Sequence, residues 1–447
     1  MSEIDSSHSE TETSVVVADS SALIEESSHH SLNLKETGLL FFIMMIGNFF
    51  NYLFAVSMAR MLGPEGYAVL MSLFSLFIVL AVPIGTIQTV TTKYIAEFFA
   101  KSEMFKIKKL VLKLLKNMLG MGVGLCLILM LASKLIANYL HIETIMPILI
   151  LSTIFIPSFL TPVTRGALQG LQRFLGFGIS GTGESMLRFV FSVALVSIVS
   201  TQLKVNVAIL GIALSCVGSF IYTVLLLKPI LSKKYDIDNK NNDIKFKDIY
   251  SYSYPVVVTL LCFTALTNID LIMVKHFFST VETGYYAGAE MIGKIVLYLP
   301  STIVILMFPK VASLNTQNKD PRPILIKSLL IVTAVCLGIT FCYFAFPEPI
   351  VLLLFGKQFI SGIPLLWLFG VAMTFYSLVN ILLMYQLSVH KFKFIVPLIF
   401  VAVLQVVLFQ FLHSTIFHIL YILLGSGFLL FLINMFLVFK QDKKSYA

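Results

Sequence analysis

The chain has 447 residues, 58% of them hydrophobic and only 12% charged, with a mean hydropathy of +0.92 and a formal net charge of +9. Soluble domains carry roughly a quarter charged residues, so an ordinary water-soluble enzyme is excluded and a multi-spanning membrane protein is expected. The five cysteines (Cys126, Cys216, Cys262, Cys336, Cys342) sit in apolar runs without paired spacing, which argues against a disulfide scaffold and a zinc site.

Residues 1–36 carry eight acids and one Lys, and lack the basic start and apolar core of a signal peptide. They read as a disordered acidic cytoplasmic tail. Without them the chain holds 31 basic against 15 acidic residues, a net charge of +16.

Six apolar segments follow, near 38–59, 67–92, 117–138, 144–164, 175–199 and 205–227, and make an expected N-terminal lobe, 37–227. Each is long and apolar on all sides, which marks a helix rather than a barrel strand of about ten alternating residues. Between the second and third lies KSEMFKIKKLVLKLLKNM (101–118), with Lys and apolar residues at helical spacing. It is expected either to lie along the cytoplasmic headgroups before the third span turns inward, or only to fix the topology.

Charges in or near these spans are Arg60, Lys93, Glu97, Arg165, Glu184 and Arg188. A charge within a span is costly and normally faces protein or water. Lys93 can snorkel to the interface. Glu184 and Arg188, four residues apart on one helix, can neutralise each other. Arg165 has no acid within four residues and follows Thr161-Pro162, which loosens the helix. It is the strongest candidate for facing a wet cavity.

The polar run 228–248 reads as a cytoplasmic linker. Beyond it, segments near 250–273, 286–309, 327–346, 361–388, 394–412 and 416–439 make a C-terminal lobe, 249–440, before a cytoplasmic tail, 441–447. Its embedded charges are Asp270, Lys275, Glu290 and Lys294. Lys275 can snorkel like Lys93. Asp270, Glu184, Glu290 and Lys294 read either as ion-coupling residues or, for the two i,i+4 sets, as local ion pairs. Pro83, Pro147, Pro157, Pro162, Pro300 and Pro364 sit in or beside spans, where they free carbonyls and permit bending.

Charge placement tests the count of twelve. With the N-terminus inside, 23 basic residues fall on the inner side and five on the outer, which favours both termini in the cytoplasm. The halves also match at an offset of about 217 residues. GPEGYAVLMSLFSLFIVLAVPIGTIQTVTTKYIAE (63–97) overlays VETGYYAGAEMIGKIVLYLPSTIVILMFPKVASL (281–314), and Gln169–Arg173 overlays Gln386–His390. Six spans is an even number, so the copies would be related by a pseudo-twofold axis along the membrane normal.

No P-loop, HExxH or Gly-x-Ser-x-Gly motif is present. The reading is therefore of a non-enzyme with no cofactor, and the scatter of basic charge over short loops argues against nucleic-acid binding.

Several segments resemble the polysaccharide-biosynthesis membrane proteins, the O-antigen-type flippases of the multidrug/oligosaccharidyl-lipid/polysaccharide exporter superfamily. They are Ala59-Arg60-Met-Leu-Gly63-Pro-Glu-Gly66-Tyr67, Thr91-Thr92-Lys93-Tyr94-Ile95-Ala96-Glu97, Arg165-Gly-Ala-Leu-Gln-Gly170 with Arg173, and Gly284-Tyr285-Tyr286-Ala287. The resemblance implies an all-α integral membrane protein with twelve transmembrane helices in two six-helix lobes, around a cavity that opens alternately inward and outward. It further implies a plasma-membrane location and a substrate of polyprenyl-(pyro)phosphate-linked oligosaccharide, moved to the outer leaflet. Membrane lipids, and a polysaccharide polymerase or glycosyltransferases, are the partners so implied. Arg60, Lys93, Arg165 and Arg188 match the kind of residue that lines such cavities, where a lipid pyrophosphate needs cations. The two extra spans usual in lipid II exporters are not seen, and the acidic tail is no part of the family core. Two alternatives stand beside this reading: a cation-coupled multidrug exporter on the same scaffold, and a membrane glycosyltransferase or polymerase.

Overall fold

The computed structural model describes residues 34–233, 246–300 and 319–442, with 303, 304, 307, 311 and 314 between them. The expected acidic tail up to residue 33, linker residues 234–245 and tail residues 443–447 lie outside the described residues. Among the described residues the regular structure is helical throughout.

The first half comprises α1 (Leu34–Leu80), α2 (Val82–Ala100), α3 (Met104–Leu131), α4 (Ser133–Tyr139), α5 (Met146–Gly170), α6 (Phe174–Ile198) and α7 (Lys204–Ser232). The second comprises α8 (Phe246–Leu266), α9 (Ile269–Phe277), α10 (Thr280–Gly293), α11 (Ile295–Tyr298), α12 (Arg322–Ala345), α13 (Pro347–Leu354), α14 (Ile363–Ser388), α15 (Ile395–Phe411) and α16 (Ile416–Asp442).

Nine helices among the described residues are long and apolar enough to cross a membrane. The other expected spans fall where helices join or break. α1 runs through two expected spans, but it is kinked at Gly63, whose φ of 68° and ψ of −179° are not helical. Glycine reaches that positive φ without a Cβ clash, and Pro64 then removes the next ladder donor. The stretch expected near 286–309 is interrupted at Lys294, between α10 and α11. α15, at 17 residues, is a short apolar helix. Twelve passes are consistent with these elements.

Three expectations are corrected. The second span, expected at 67–92, breaks at Ala81, because Pro83 occupies the first turn of α2. The seventh, expected at 250–273, breaks at Thr267-Asn268 between α8 and α9. The basic run 101–118 does not lie flat before a turn; from Met104 it is the first part of one unbroken helix ending at Leu131. Its apolar face (Ile107, Leu110, Val111, Leu114, Met118) is buried and its Lys109, Lys113 and Lys116 are exposed. That face continues in register into the span, so no bend is needed to bury it.

Polarity is arranged for lipid. Exposed side chains include Leu131, Leu135, Ile198, Val396 and Phe411, whereas Gln405, Asn434 and Gln386 are buried. Gln386 donates to Asn434 across α14 and α16 at 2.8 Å, and Gln405 links the Tyr376 hydroxyl to the Leu266 carbonyl. Such bonds hold helices together where lipid supplies no hydrophobic drive.

The halves also correspond in where their helices begin along the chain. α3 and α12 begin 218 residues apart, and α5 and α14 begin 217 apart. α5 and α14 are the two most buried spans, with 67% and 78% of their apolar windows buried. An equal offset between the two central helices is the outcome expected of a duplicated six-helix unit. The halves meet along α1, which packs on α6 and α7 of its own half and on α9 and α10 of the other.

Candidate functional site

Two of the segments singled out in the sequence turn out to be the two faces of one helix crossing. Gly166 and Gly170 on α5 lie against α2. A Cβ at Gly166 would fall 2.7 Å from the Gln88 carbonyl oxygen, and one at Gly170 would fall 2.8 Å from that of Thr92. Small residues four apart let the backbones approach this closely. Gln169 then reaches Thr92 Oγ1 at 3.2 Å and Gln88 Nε2 at 3.3 Å. Arg165, the residue before the first of these glycines, turns instead toward α6 and α7.

There Arg165 lines a cavity of 220 Å³ between α1, α2, α5 and α6, with Asn48, Asn51, Gln88, Thr182 and Ser185 among its walls. Of the glycines of α6 that border it, Gly181 faces open space, whereas a Cβ at Gly178 would fall 2.6 Å from a Leu40 methyl, so that glycine lets α1 approach. Thr182 donates to the Ile43 carbonyl at 2.7 Å, which holds α6 against α1 along the rim.

Arg165 is heavily engaged. Its Nε donates to Ser180 Oγ at 3.0 Å, and its Nη2 reaches the Ser180 carbonyl at 2.9 Å, Glu184 Oε2 at 2.8 Å and Ser219 Oγ at 2.9 Å. The other oxygen of Glu184 accepts from Arg188 Nη2 at 3.0 Å, and Arg188 Nη1 donates to Asn51 Oδ1 at 3.3 Å. Arg188 also lies over the Phe74 ring, 5.8 Å from its centroid. One carboxylate thus serves two guanidiniums and leaves one excess positive charge. These three side chains keep 15–19% of their surface exposed, and of the three Arg165 lines the cavity itself, while Arg188 meets its wall through Asn51. Arg188 Nε is buried and has no partner among the described residues. A partly dry site with surplus guanidinium donors is suited to bind an anion bearing several acceptor oxygens.

Lys93 and Arg60 stand elsewhere. Lys93 is on the exposed face of α2, with its ammonium 5.8 Å from the Tyr94 ring centroid. Arg60 is exposed further along α1, just before the Gly63 kink and away from the cavity. Its Nε donates to the Leu354 carbonyl at 3.0 Å and its Nη2 to that of Leu353. It therefore satisfies the C-terminal carbonyls of α13 and clips the first half to the second.

The second half holds a different cluster. The breaks α8/α9 and α10/α11 face each other. Lys294, at the second break, pairs with Glu290 at 2.5 Å and donates to Asn268 Oδ1, at the first, at 2.8 Å. Tyr286 donates to Asp270 Oδ2 at 2.7 Å, while Asp270 Oδ1 is buried without a hydrogen bond. Asp270, Glu290, Lys294 and Asn268 are all buried. Backbone carbonyls near the α10/α11 break are satisfied by side chains: Tyr343 donates to Ile292 and Ser377 to Val296. Two carboxylates against one ammonium make this cluster electrically opposite to the first. Lys275 is separate, donating to Thr280 Oγ1 at 2.7 Å.

Both i,i+4 pairs thus form. Asn51, Ser219, Asn268 and Tyr286 were not anticipated as contributors. Ser180 had a usable signal, because Arg165 lies five residues before the end of α5 and Ser180 six after the start of α6.

The profile of the family described as polysaccharide biosynthesis protein matches residues 33–315. An uncharacterised membrane protein of Methanocaldococcus jannaschii is 24% identical over 346 residues, covering 74% of this chain and 79% of that one. Among solved structures, an inward-facing multidrug resistance MATE family transporter of the MOP superfamily aligns with a TM-score of 0.70 at 14% identity, over 89% of this chain and 96% of that one. The lipid II flippase MurJ, in an inward closed conformation, aligns with a TM-score of 0.68 at 14% identity, over 90% and 87%. A MOP superfamily transporter from Pyrococcus furiosus, reported with a binding pocket of reversed polarity, aligns with a TM-score of 0.58 at 16% identity, over 88% and 93%. The fold is that of MOP-superfamily transporters.

Proposed function

From the premise that the chain belongs to the polysaccharide biosynthesis protein family, we propose that it is a flippase moving a polyprenyl-(pyro)phosphate-linked oligosaccharide from the cytoplasmic to the outer leaflet of the plasma membrane. The observation that carries this reading is the surplus positive charge of the Arg165–Glu184–Arg188 group beside the 220 Å³ cavity. A lipid (pyro)phosphate is a multiply charged anion with several acceptor oxygens, and it matches guanidinium donors in charge and geometry. Asn48, Asn51 and Gln88 in the same walls offer amide hydrogen bonds of the kind sugar hydroxyls use. A cationic drug would meet a like charge there, which disfavours the multidrug-exporter reading.

With the termini in the cytoplasm, as the charge distribution suggests, the contacts of Arg60 and α13 lie on the outer side and the cavity in the inner half. The lobes would then be closed outward, and α2 and α8 also pack on each other between them. Alternation between this state and its opposite would carry the substrate across. The buried Asp270–Glu290–Lys294 group, with its excess carboxylate, is the proposed place where a coupling ion is taken up and released.

Arg165→Gln tests the cavity. Flipping of a fluorescent polyprenyl-pyrophosphate sugar in proteoliposomes should fall about ten- to a hundredfold, the loss of one charge-assisted hydrogen-bond set at roughly 1.5–3 kcal/mol. Thermal stability should change little by comparison, because Glu184 keeps Arg188 as its counter-ion. Arg165→Lys should retain part of the activity, having the charge without the two-pronged fit. A Gln variant with parental flipping and stability would remove Arg165 from the substrate path.

A further inference from the structure

Glu184 has no obvious place in a site built for an anion, yet it sits between the two guanidiniums. Its oxygens are divided between them, Oε2 to Arg165 at 2.8 Å and Oε1 to Arg188 at 3.0 Å. A phosphate would bridge two guanidiniums in the same way, through two oxygens on one centre. The partners also differ in how firmly Glu184 holds them. Arg188 is four residues on along the same helix, so that pair persists wherever α6 goes. Arg165 belongs to α5, beyond the turn at 171–173, and its link to Glu184 is a contact between helices.

Arg165 also has capacity to change partners. Its Nε remains on Ser180 Oγ and its Nη2 has Ser219 and the Ser180 carbonyl within reach. Its Nη1 makes no hydrogen bond to a described residue, and the side chain lines the cavity. Only the Glu184 contact opposes an entering anion by charge.

Resting on the reading of this cavity as the phosphate site, we propose that Glu184 is an internal stand-in for the substrate's phosphate. It occupies Arg165 while the cavity is empty, yields Arg165 to an incoming polyphosphorylated lipid, and retakes it as the product leaves. The consequence is a charge threshold. A singly charged anion only matches the carboxylate it must displace, whereas a diphosphate exceeds it and gains Arg165 while Arg188 stays neutralised. Glu184 therefore sets selectivity for diphosphates and limits how tightly the product is retained.

The test uses purified full-length protein and farnesyl pyrophosphate as probe, with farnesyl methyl phosphate, a singly charged phosphodiester, for comparison. Glu184→Gln removes the competitor but keeps the side chain's size. It should bind farnesyl pyrophosphate about tenfold or more tightly, the share of a charge-assisted contact released to the ligand. The ligand should raise its melting temperature by more than it raises the parent's, and preference for pyrophosphate over the phosphodiester should shrink. Turnover in proteoliposomes should fall, because release becomes slow. Glu184→Asp, which withdraws the carboxylate by one methylene, should give an intermediate gain in affinity and stands in if the Gln variant folds poorly. Equal or weaker binding by the folded variants would overturn the proposal and leave Glu184 a structural partner. The double variant Arg165→Gln/Arg188→Gln separates the two readings. If it binds the probe like the parent, the cavity assignment fails and this proposal fails with it. If it loses binding while the Glu184 variants gain none, only the role of Glu184 is overturned.

Discussion

Replacing Lys294 with Met should destabilise the protein by about 3–5 kcal/mol, the cost typical of removing one partner from a buried ion pair. Lys294 faces Glu290 at 2.5 Å and Asn268 at 2.8 Å, and its side chain is only 9% exposed. Without its ammonium, Glu290 and Asp270 remain as two buried carboxylates with no cation. Both are buried in this state of the molecule, 2% and 0% exposed. Thermal unfolding in detergent measures the loss. The double variant Lys294→Met/Glu290→Gln should recover much of it, since Asp270 is then the one carboxylate left and the cluster's net charge returns to that of the parent. If the single variant melts with the parent, the cluster is not held by charge. If the double variant is no better than the single, the loss comes from packing at the α10/α11 break instead.

The second large effect is expected at Gly284, where the halves touch. A Cβ there would lie on the carbonyl oxygen of Pro64 and 2.6 Å from its carbonyl carbon. Backbone cannot rotate out of the way as a side chain can. Gly284→Val should therefore cost the closed contact about 3 kcal/mol or more, at the upper end of overpacking penalties. The molecule has a way to relieve this: the halves can part at the end held by Arg60 and α13. A change of that size alters the ratio of closed to open molecules by roughly a hundredfold. Spin labels on cysteines placed at Glu65 and Lys357, both exposed on either side of the seam, would report it in a background lacking the native cysteines. A longer distance should replace the parental one, with transport lost. An unchanged distance in a well-folded variant would show that α1 and α10 do not form the seam that opens.

The likeness to known proteins agrees with the residues that suggested it, but the reasons those residues matter were not visible in one dimension. Arg165-Gly-Ala-Leu-Gln-Gly170 and Thr91-Thr92 looked like separate motifs. They are one crossing, and the glycines are there because the α2 backbone passes within van der Waals reach. Arg60 and Lys93 were grouped with Arg165 and Arg188 as cations near spans. Arg60 instead reaches carbonyls 293 and 294 residues further along the chain, which no local spacing can announce.

What the sequence determined by itself was what depends on neighbours within a helical turn or on bulk transfer to lipid. Apolar length marked the helices, because unpaired backbone is intolerable in hydrocarbon. Residues spaced i,i+4 gave the pairs Glu184/Arg188 and Glu290/Lys294, because that spacing stacks side chains on one helical face. The Gly63-Pro64 kink and the break before Pro83 are backbone effects of the same local kind, yet apolar length alone ran the second span through Pro83. Only the tertiary structure decided which charges share a site. It joined Arg165 to Glu184 across the α5–α6 turn, faced Lys294 to Asn268 across two helix breaks, and sent Arg60 to the far lobe. In lipid, apolar helices gain little from one neighbour over another, so their order is set by small-residue contacts and buried polar bonds between distant segments. Those contacts depend on how helices far apart in sequence come together, and so the site exists only once the lobes are assembled.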